Sequence, residues 1–265
     1  MNKKQKQANI LIALIVTLFI INYPFLDDLT EKFLSSNREQ AKVLRIIDGD
    51  TIETNLGIIR LLGINTPERG EKYYAEAKSF LEQEITNKTI WLEKTKEEAD
   101  RYDRLLRYVF LGNKNINIEL INNGLANPYF PSGKDRYALK FYDSWKKCVG
   151  EGEKNLCENS DDKCADCIKL VKLDYNNDEV VLGNNCNFNC ELTSWSIKDE
   201  GRKEFVFPKF TLKQNNELNI VVSKIEVDNT EGTIYWIRQD YVWTKSGDSL
   251  FLRDKEGKLV LYYSY

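Results

Sequence analysis

From residue 41 onward the apolar positions alternate in short runs broken by Asp-Gly, Asn-Leu-Gly and similar turn signals. Lys42–Ile47, Thr51–Thr54 and Gly57–Ile64 read as three successive strands. Between residues 71 and 86 the period changes: Tyr74, Ala77, Phe80, Leu81 and Ile85 fall on one face of a helix. Thr89–Lys94 and Leu105–Leu111 return to strand pattern, separated by the charged loop Thr95–Arg104. Asn115–Gly124 and Arg136–Lys147 read as two further helices, the first closed by Gly124. Five strands with interposed helices predict a small Greek-key barrel of the OB type.

The pattern differs at both ends. Ile10–Ile21 is apolar except for Thr17 and follows Lys3, Lys4 and Lys6. A basic flank before an apolar stretch is the signature of an export signal, or of a short membrane anchor if the span runs on to residue 26. No small-x-small cleavage site follows Ile21, which favours an N-terminal hydrophobic helix retained in the membrane, with the remainder outside the cell. From Ile168 to Tyr265, short strands recur every eight to twelve residues, the pattern of a β-sandwich. The organisation expected is therefore 1–26 signal or anchor, 27–40 linker, 41–157 barrel with helices, 158–167 linker and 168–265 sandwich.

Charge narrows the chemistry. The 265-residue chain has a net charge of −3, but residues 38–150 hold 19 basic against 17 acidic groups, whereas 151–265 hold 15 against 21. A phosphate backbone would find no welcome in the second half. The chain contains 0 histidines. That removes Ser-His-Asp and Cys-His hydrolysis and His-ligated zinc catalysis, leaving carboxylates, arginines and a metal ion.

Asp48, Asp50, Arg60 and Glu68 stand at strand ends within one stretch of the chain. This is the kit for metal-assisted attack on a phosphodiester. The motifs Ile47–Thr51 (IDGDT), Arg60–Glu68 (RLLGINTPE) and Asp100–Arg104 (DRYDR) resemble, in order and spacing, those of the staphylococcal nuclease (thermonuclease-like) family. The resemblance implies an OB barrel of five strands with three helices and a Ca²⁺-dependent endonuclease acting on DNA and RNA, and the chain is expected to act as a monomer. It maps Asp50, Asn65 and the Thr66 carbonyl onto metal ligands and Arg60, Glu68 and Arg104 onto catalytic positions. Arg101 and Tyr102 fall where the family contacts a terminal phosphate. Tyr129, after GLANP, is either a base-stacking aromatic or a rim residue of the core.

Two positions depart from the family pattern. Asn65 replaces the usual second aspartate, removing one negative charge from the metal site and predicting weaker Ca²⁺ binding. Asp103 stands where glycine is common, and could pair with Arg104 or Arg101. These departures keep open a second reading: a catalytically weak or dead OB module that binds nucleic acid. Asn184–Glu200, Phe205–Leu212 and Val242–Val260 resemble a lamin-tail domain, implying an Ig-like sandwich that serves as a non-catalytic appendage for surface, nucleic-acid or protein contact. Cys148, Cys157, Cys164, Cys167, Cys186 and Cys190 predict disulfides in an exported chain. The spacing of Cys164, Cys167, Cys186 and Cys190 also approaches that of a zinc ribbon.

Overall fold

The computed structural model describes residues 38–265 together with isolated positions between 5 and 18. The expected N-terminal membrane segment and its linker fall largely outside the described residues. Among the described residues no helix is long and apolar enough to cross a membrane.

The first sheet is a closed barrel. Its strands are β1 (Glu39–Asp48), β2 (Thr51–Thr54), β3 (Gly57–Leu61), β5 (Thr89–Ala99) and β6 (Leu105–Leu111), in the order β3-β2-β1-β5-β6 with β6 returning to β3. All pairings are antiparallel except β3 with β6, where Ile59 lies beside Leu105 and Arg60 beside Leu106. Closure removes the free edges that a five-stranded sheet would otherwise expose. The short β4 (Ile64–Asn65) and β8 (Asn127–Pro128) form a separate ribbon, and β7 (Lys114–Asn115) pairs with β6.

Residues 57–64 do not form the single strand expected. The chain turns at Leu62-Gly63, where Gly63 has φ +73°, and a Cβ there would meet the rings of Phe141 and Phe130 at 2.9 and 3.0 Å. The bend starts a new direction at Ile64, so Asn65 and Thr66 are delivered away from the barrel wall. β5 also runs past its expected end at Lys94 to Ala99.

Three helices close the barrel: α1 (Tyr74–Ile85), α2 (Ile116–Asn122) and α3 (Ala138–Glu151). Ala77, Leu81 and Ile85 of α1 are fully buried at the four-residue spacing that the sequence pattern required. In α2 the Asn115 side chain caps the first turn by accepting from the Ile118 amide. Trp145 of α3 is wholly buried.

Past a 3₁₀ turn at Asn155–Cys157 the chain is almost entirely β. It comprises β9 (Ile168–Asp174), β10 (Glu179–Asn184), β11 (Cys190–Glu191), β12 (Ser196–Lys198), β13 (Glu204–Val206), β14 (Thr211–Leu212), β15 (Glu217–Ser223), β16 (Thr233–Ile237), β17 (Ser249–Arg253) and β18 (Leu259–Ser264). Two four-stranded sheets, β16-β15-β10-β9 and β13-β12-β17-β18, contribute to one core in which Leu182, Leu218 and Ile220 join Ile197, Leu250 and Leu252. Trp195, Phe207, Trp236 and Trp243 are core residues there. Phe251 and Leu259, by contrast, belong to the core of the barrel, where Trp145 meets Phe251 edge-on at 5.7 Å between ring centres.

All six cysteines are paired: Cys148 with Cys157, Cys164 with Cys190 and Cys167 with Cys186. The zinc-ribbon alternative is thereby corrected, because a sulfur shared with another sulfur has no thiolate to offer a metal. Closing loops of 26 and 19 residues stabilises the C-terminal sheets by about 3 kcal/mol each in the chain-entropy account. The denatured, unreduced protein is therefore expected to show no reactive thiol and the reduced protein six, with a clear drop in thermal midpoint on reduction. Thiol titration and a melt with and without reductant check this.

Candidate active site

Four of the predicted residues form one hydrogen-bonded chain. Arg60 projects from β3 beside Leu106 of β6, and its Nη2 lies 3.0 Å from Asp50 Oδ2. The same guanidinium donates to the carbonyls of Leu61 (2.8 Å) and Ile64 (3.0 Å), and more distantly to Asn65 Oδ1 (3.5 Å). The other oxygen of Asp50 accepts from the Thr51 hydroxyl at 2.9 Å, and Thr51 Oγ1 accepts from Arg104 Nη1 at 3.4 Å. Arg60, Asp50, Asn65 and Thr66 are all buried. A buried guanidinium within an apolar strand requires partners, and these contacts supply them.

Gly49 between the two aspartates is required by space. A Cβ there would lie 2.8 Å from Thr66 Oγ1 and 2.9 Å from Ala77 Cβ. The missing side chain lets the Asp50 turn pack against the Thr66 loop and α1.

Arg104 takes its orientation from Asp100. Asp100 Oδ2 accepts from Arg104 Nε at 2.8 Å and pairs with its Nη2 at 2.7 Å, while Oδ1 accepts from the backbone amides of Tyr102 and Arg104. Burial acts to raise the Asp100 carboxyl, but these donors outweigh it and hold the carboxyl below its ordinary range. The expectation that Asp103 pairs with Arg104 or Arg101 is corrected: Asp103 has φ +60°, the left-handed conformation that favours glycine, and Asp100 takes the arginine instead. Asp100 and Thr51 were legible only as motif letters, although the i, i+4 spacing of Asp100 and Arg104 was a usable signal.

Glu68 is set apart from this chain. It lies on the loop before α1, and its Oε1 is 2.8 Å from Nε of Arg202, in the turn between β12 and β13. Asn65 Nδ2 also turns towards that region, donating to the Gly201 carbonyl at 2.8 Å and, at 3.4 Å, to the Glu200 carbonyl. Arg101 and Tyr102 are on the surface loop, with the Tyr102 ring 4.9 Å from the Arg101 guanidinium and 5.5 Å from that of Arg104. Tyr129 is half-buried and its amide donates to the Gly63 carbonyl at 2.9 Å; burial raises its phenol. It shares with Arg60 and Arg104 the wall of a groove of about 1180 Å³, flanked by Lys94, Lys96 and Lys134. The site thus borders a cleft whose lining carries more basic than acidic side chains, Glu93, Glu97, Asp100 and Asp135 being the acidic ones, with the Tyr129 ring on its wall.

Comparison with known proteins agrees with this geometry. Residues 58–159 match the family described as staphylococcal nuclease homologue. The thermonuclease of Staphylococcus hyicus is 33% identical over 135 residues, covering 47% of this chain and 79% of that protein. The chain belongs to the staphylococcal nuclease family. The thermonuclease of Staphylococcus intermedius is 32% identical over 148 residues, 52% of this chain and 88% of its own. An uncharacterized endonuclease of Haemophilus influenzae is 31% identical over 100 residues, 36% of this chain and 55% of that one. Within this nuclease-family barrel, the match ends close to the 3₁₀ turn at Asn155–Cys157, so the C-terminal sheets lie outside it.

Two outcomes follow from the packing. Gly49→Ala is expected to destabilise the folded chain by about 1–3 kcal/mol through overpacking against Thr66 and Ala77, measured by denaturant unfolding. The second concerns Glu200. Burial foremost, then the neighbouring Asp248 and Asp199, push its carboxyl up to about 8, against the Ser249 hydroxyl and Lys134, which favour the anion. The native state therefore keeps a proton that the unfolded chain releases near pH ~4.3. This contribution is complete below that pH and is lost as pH rises towards 8. Glu200→Gln, which cannot ionise, is expected to flatten the fall in thermal midpoint between about pH 5 and 8; an unchanged slope would refute the assignment.

Proposed function

We propose that this chain is a metal-dependent endonuclease that hydrolyses phosphodiester bonds of DNA and RNA by in-line attack of water. The observation that carries the reading is the continuous chain Arg104–Thr51–Asp50–Arg60–Asn65, whose two arginines line the groove.

The residues fit a hard divalent cation such as Ca²⁺. Asp50 offers a carboxylate and Thr66 a backbone carbonyl. Because Asn65 Nδ2 is engaged by two carbonyl acceptors, its Oδ1 is the atom left on the Asp50–Arg60 side. Three oxygen donors with one formal charge suit Ca²⁺ but hold it less tightly than a two-aspartate set. When bound, such an ion supplies polarisation of the scissile phosphate. Glu68 accepts the proton of the attacking water as the oxygen closes on phosphorus. Arg60 and Arg104 offer the N–H donors left over from their Asp50 and Asp100 pairings to the oxygens on which charge accumulates, where a lysine would supply only a point charge. In-line departure of the 5′-oxygen, which takes up a proton from solvent and leaves as the 5′-hydroxyl, leaves a 3′-phosphate. Arg101 and Tyr102 are read as contacts to a terminal phosphate, and Tyr129 as a platform for a base.

The six paired cysteines support an oxidising compartment, and with the basic, apolar N-terminus they support export or attachment to the cell membrane by a single N-terminal segment. We read the two C-terminal sheets as a lamin-tail-like sandwich, and the chain as acting as a monomer.

Incubation with single-stranded and duplex DNA in the presence of Ca²⁺ should give cleavage that a chelator abolishes. Glu68→Gln should lower the rate by roughly 10²–10⁴-fold, the span of general-base contributions. Chelator-insensitive cleavage, or binding without cleavage, would replace this reading with the binding-module one.

A further inference from the structure

Glu68 sits on a loop, and its side chain is 36% accessible. A glutamate so placed samples several rotamers, and fixing one costs about 1.5–2 kcal/mol. Four contacts from one distant hairpin hold this loop. Arg202 Nε approaches Glu68 Oε1 at 2.8 Å. The Glu68 amide donates to Glu71 Oε2 at 2.9 Å, and the Glu71 carboxylate in turn accepts from Lys198 Nζ at 2.6 and 2.7 Å. Asn65 donates its amide to the carbonyls of Gly201 and Glu200. Lys198 ends β12, and residues 199–203 make the turn into β13. The hairpin thus touches the side chain of Glu68, its backbone through Glu71, and the orientation of Asn65.

We propose that the β12–β13 hairpin is a positioning element of the nuclease site, with Arg202 the residue that holds the Glu68 carboxylate in its working rotamer. The inference rests on the nuclease reading of Glu68. It makes the C-terminal sheets part of the site, where the sequence suggested an appendage. It also gives Asn65 a reason: an aspartate there would set its carboxylate against two carbonyl oxygens. Arg202 is 63% exposed, so its ion pair adds little to stability; exposed pairs contribute about 0–1 kcal/mol. Its effect is geometric, and a displacement of ~1 Å at a reacting group can cost about 10²-fold in rate.

The test uses the full chain with Ca²⁺ and a single-stranded DNA oligonucleotide, comparing wild type, Glu68→Gln, Arg202→Ala, Arg202→Lys and, as a control for loss of an exposed positive charge, Lys209→Ala. Arg202→Ala should lower kcat by roughly 10–100-fold with KM little changed, keep the wild-type unfolding midpoint, and be partly rescued by Arg202→Lys. Lys209→Ala should match wild type. With chelator present, Lys198→Ala should speed hydrogen exchange of the Glu68 amide, a readout that needs no metal and no turnover. If wild type cleaves through Glu68 while Arg202→Ala keeps its kcat, cleaves faster, or loses only KM, the inference fails and the nuclease reading stands. An unchanged Glu68 amide in Lys198→Ala likewise counts against it. A wild type that does not cleave removes both.

Discussion

The buried pair between Arg60 and Asp50 is the constraint on which the site depends. Both side chains are about one-tenth exposed, and such a pair is costly to form and costlier to break, since removing one partner strands the other and costs about 3–5 kcal/mol. What offsets this is further hydrogen bonding by both Nη groups of Arg60. Arg60 also takes the carbonyls of Leu61 and Ile64, the two ends of the bend that interrupts the expected long strand. The guanidinium therefore braces the backbone that delivers Asn65 and Thr66. One side chain of the barrel wall fixes the carboxylate, the bend and the distance between them.

Much of the barrel was legible because its determinants are local. The period-two runs and the helical spacing of Ala77, Leu81 and Ile85 fall within single elements. Asp50, Arg60 and Arg104 were legible as motif letters, and the fold joins them through Thr51. The bend at Gly63 was not legible, because its cause is the rings of Phe130 and Phe141, far along the chain. Asp103 was misjudged for a related reason: the letter suggests a charge partner, while Asp103 serves a left-handed turn position and Asp100 makes the pairing. Arg202 carried no signal at all, since an arginine in a polar turn resembles any solvated charge until the turn is laid against Glu68. The cysteine pattern admitted two chemistries, and only the pairing distinguished them.

The contacts around Asn65 change how that departure from the family pattern reads. Asn65 exchanges charge for a pair of hydrogen bonds to a second part of the chain. The buried carboxyls of Asp199 and Glu200, pushed up to about 6 and about 8, adjoin that contact. Polar groups kept from water there favour one arrangement of the turn, because every alternative would leave Asn65 or the carbonyls unsatisfied.

Phe251 and Leu259 belong by sequence to the C-terminal sheets and by packing to the barrel, where Phe251 rests on Trp145. A segment that lends two side chains to its neighbour's core is not freely exchangeable. Recombination could replace the C-terminal sheets only with a partner that brought apolar groups of matching shape to Trp145 and a turn complementary to Asn65. In this chain a change of volume in the core of either half is thereby felt in the packing of the other.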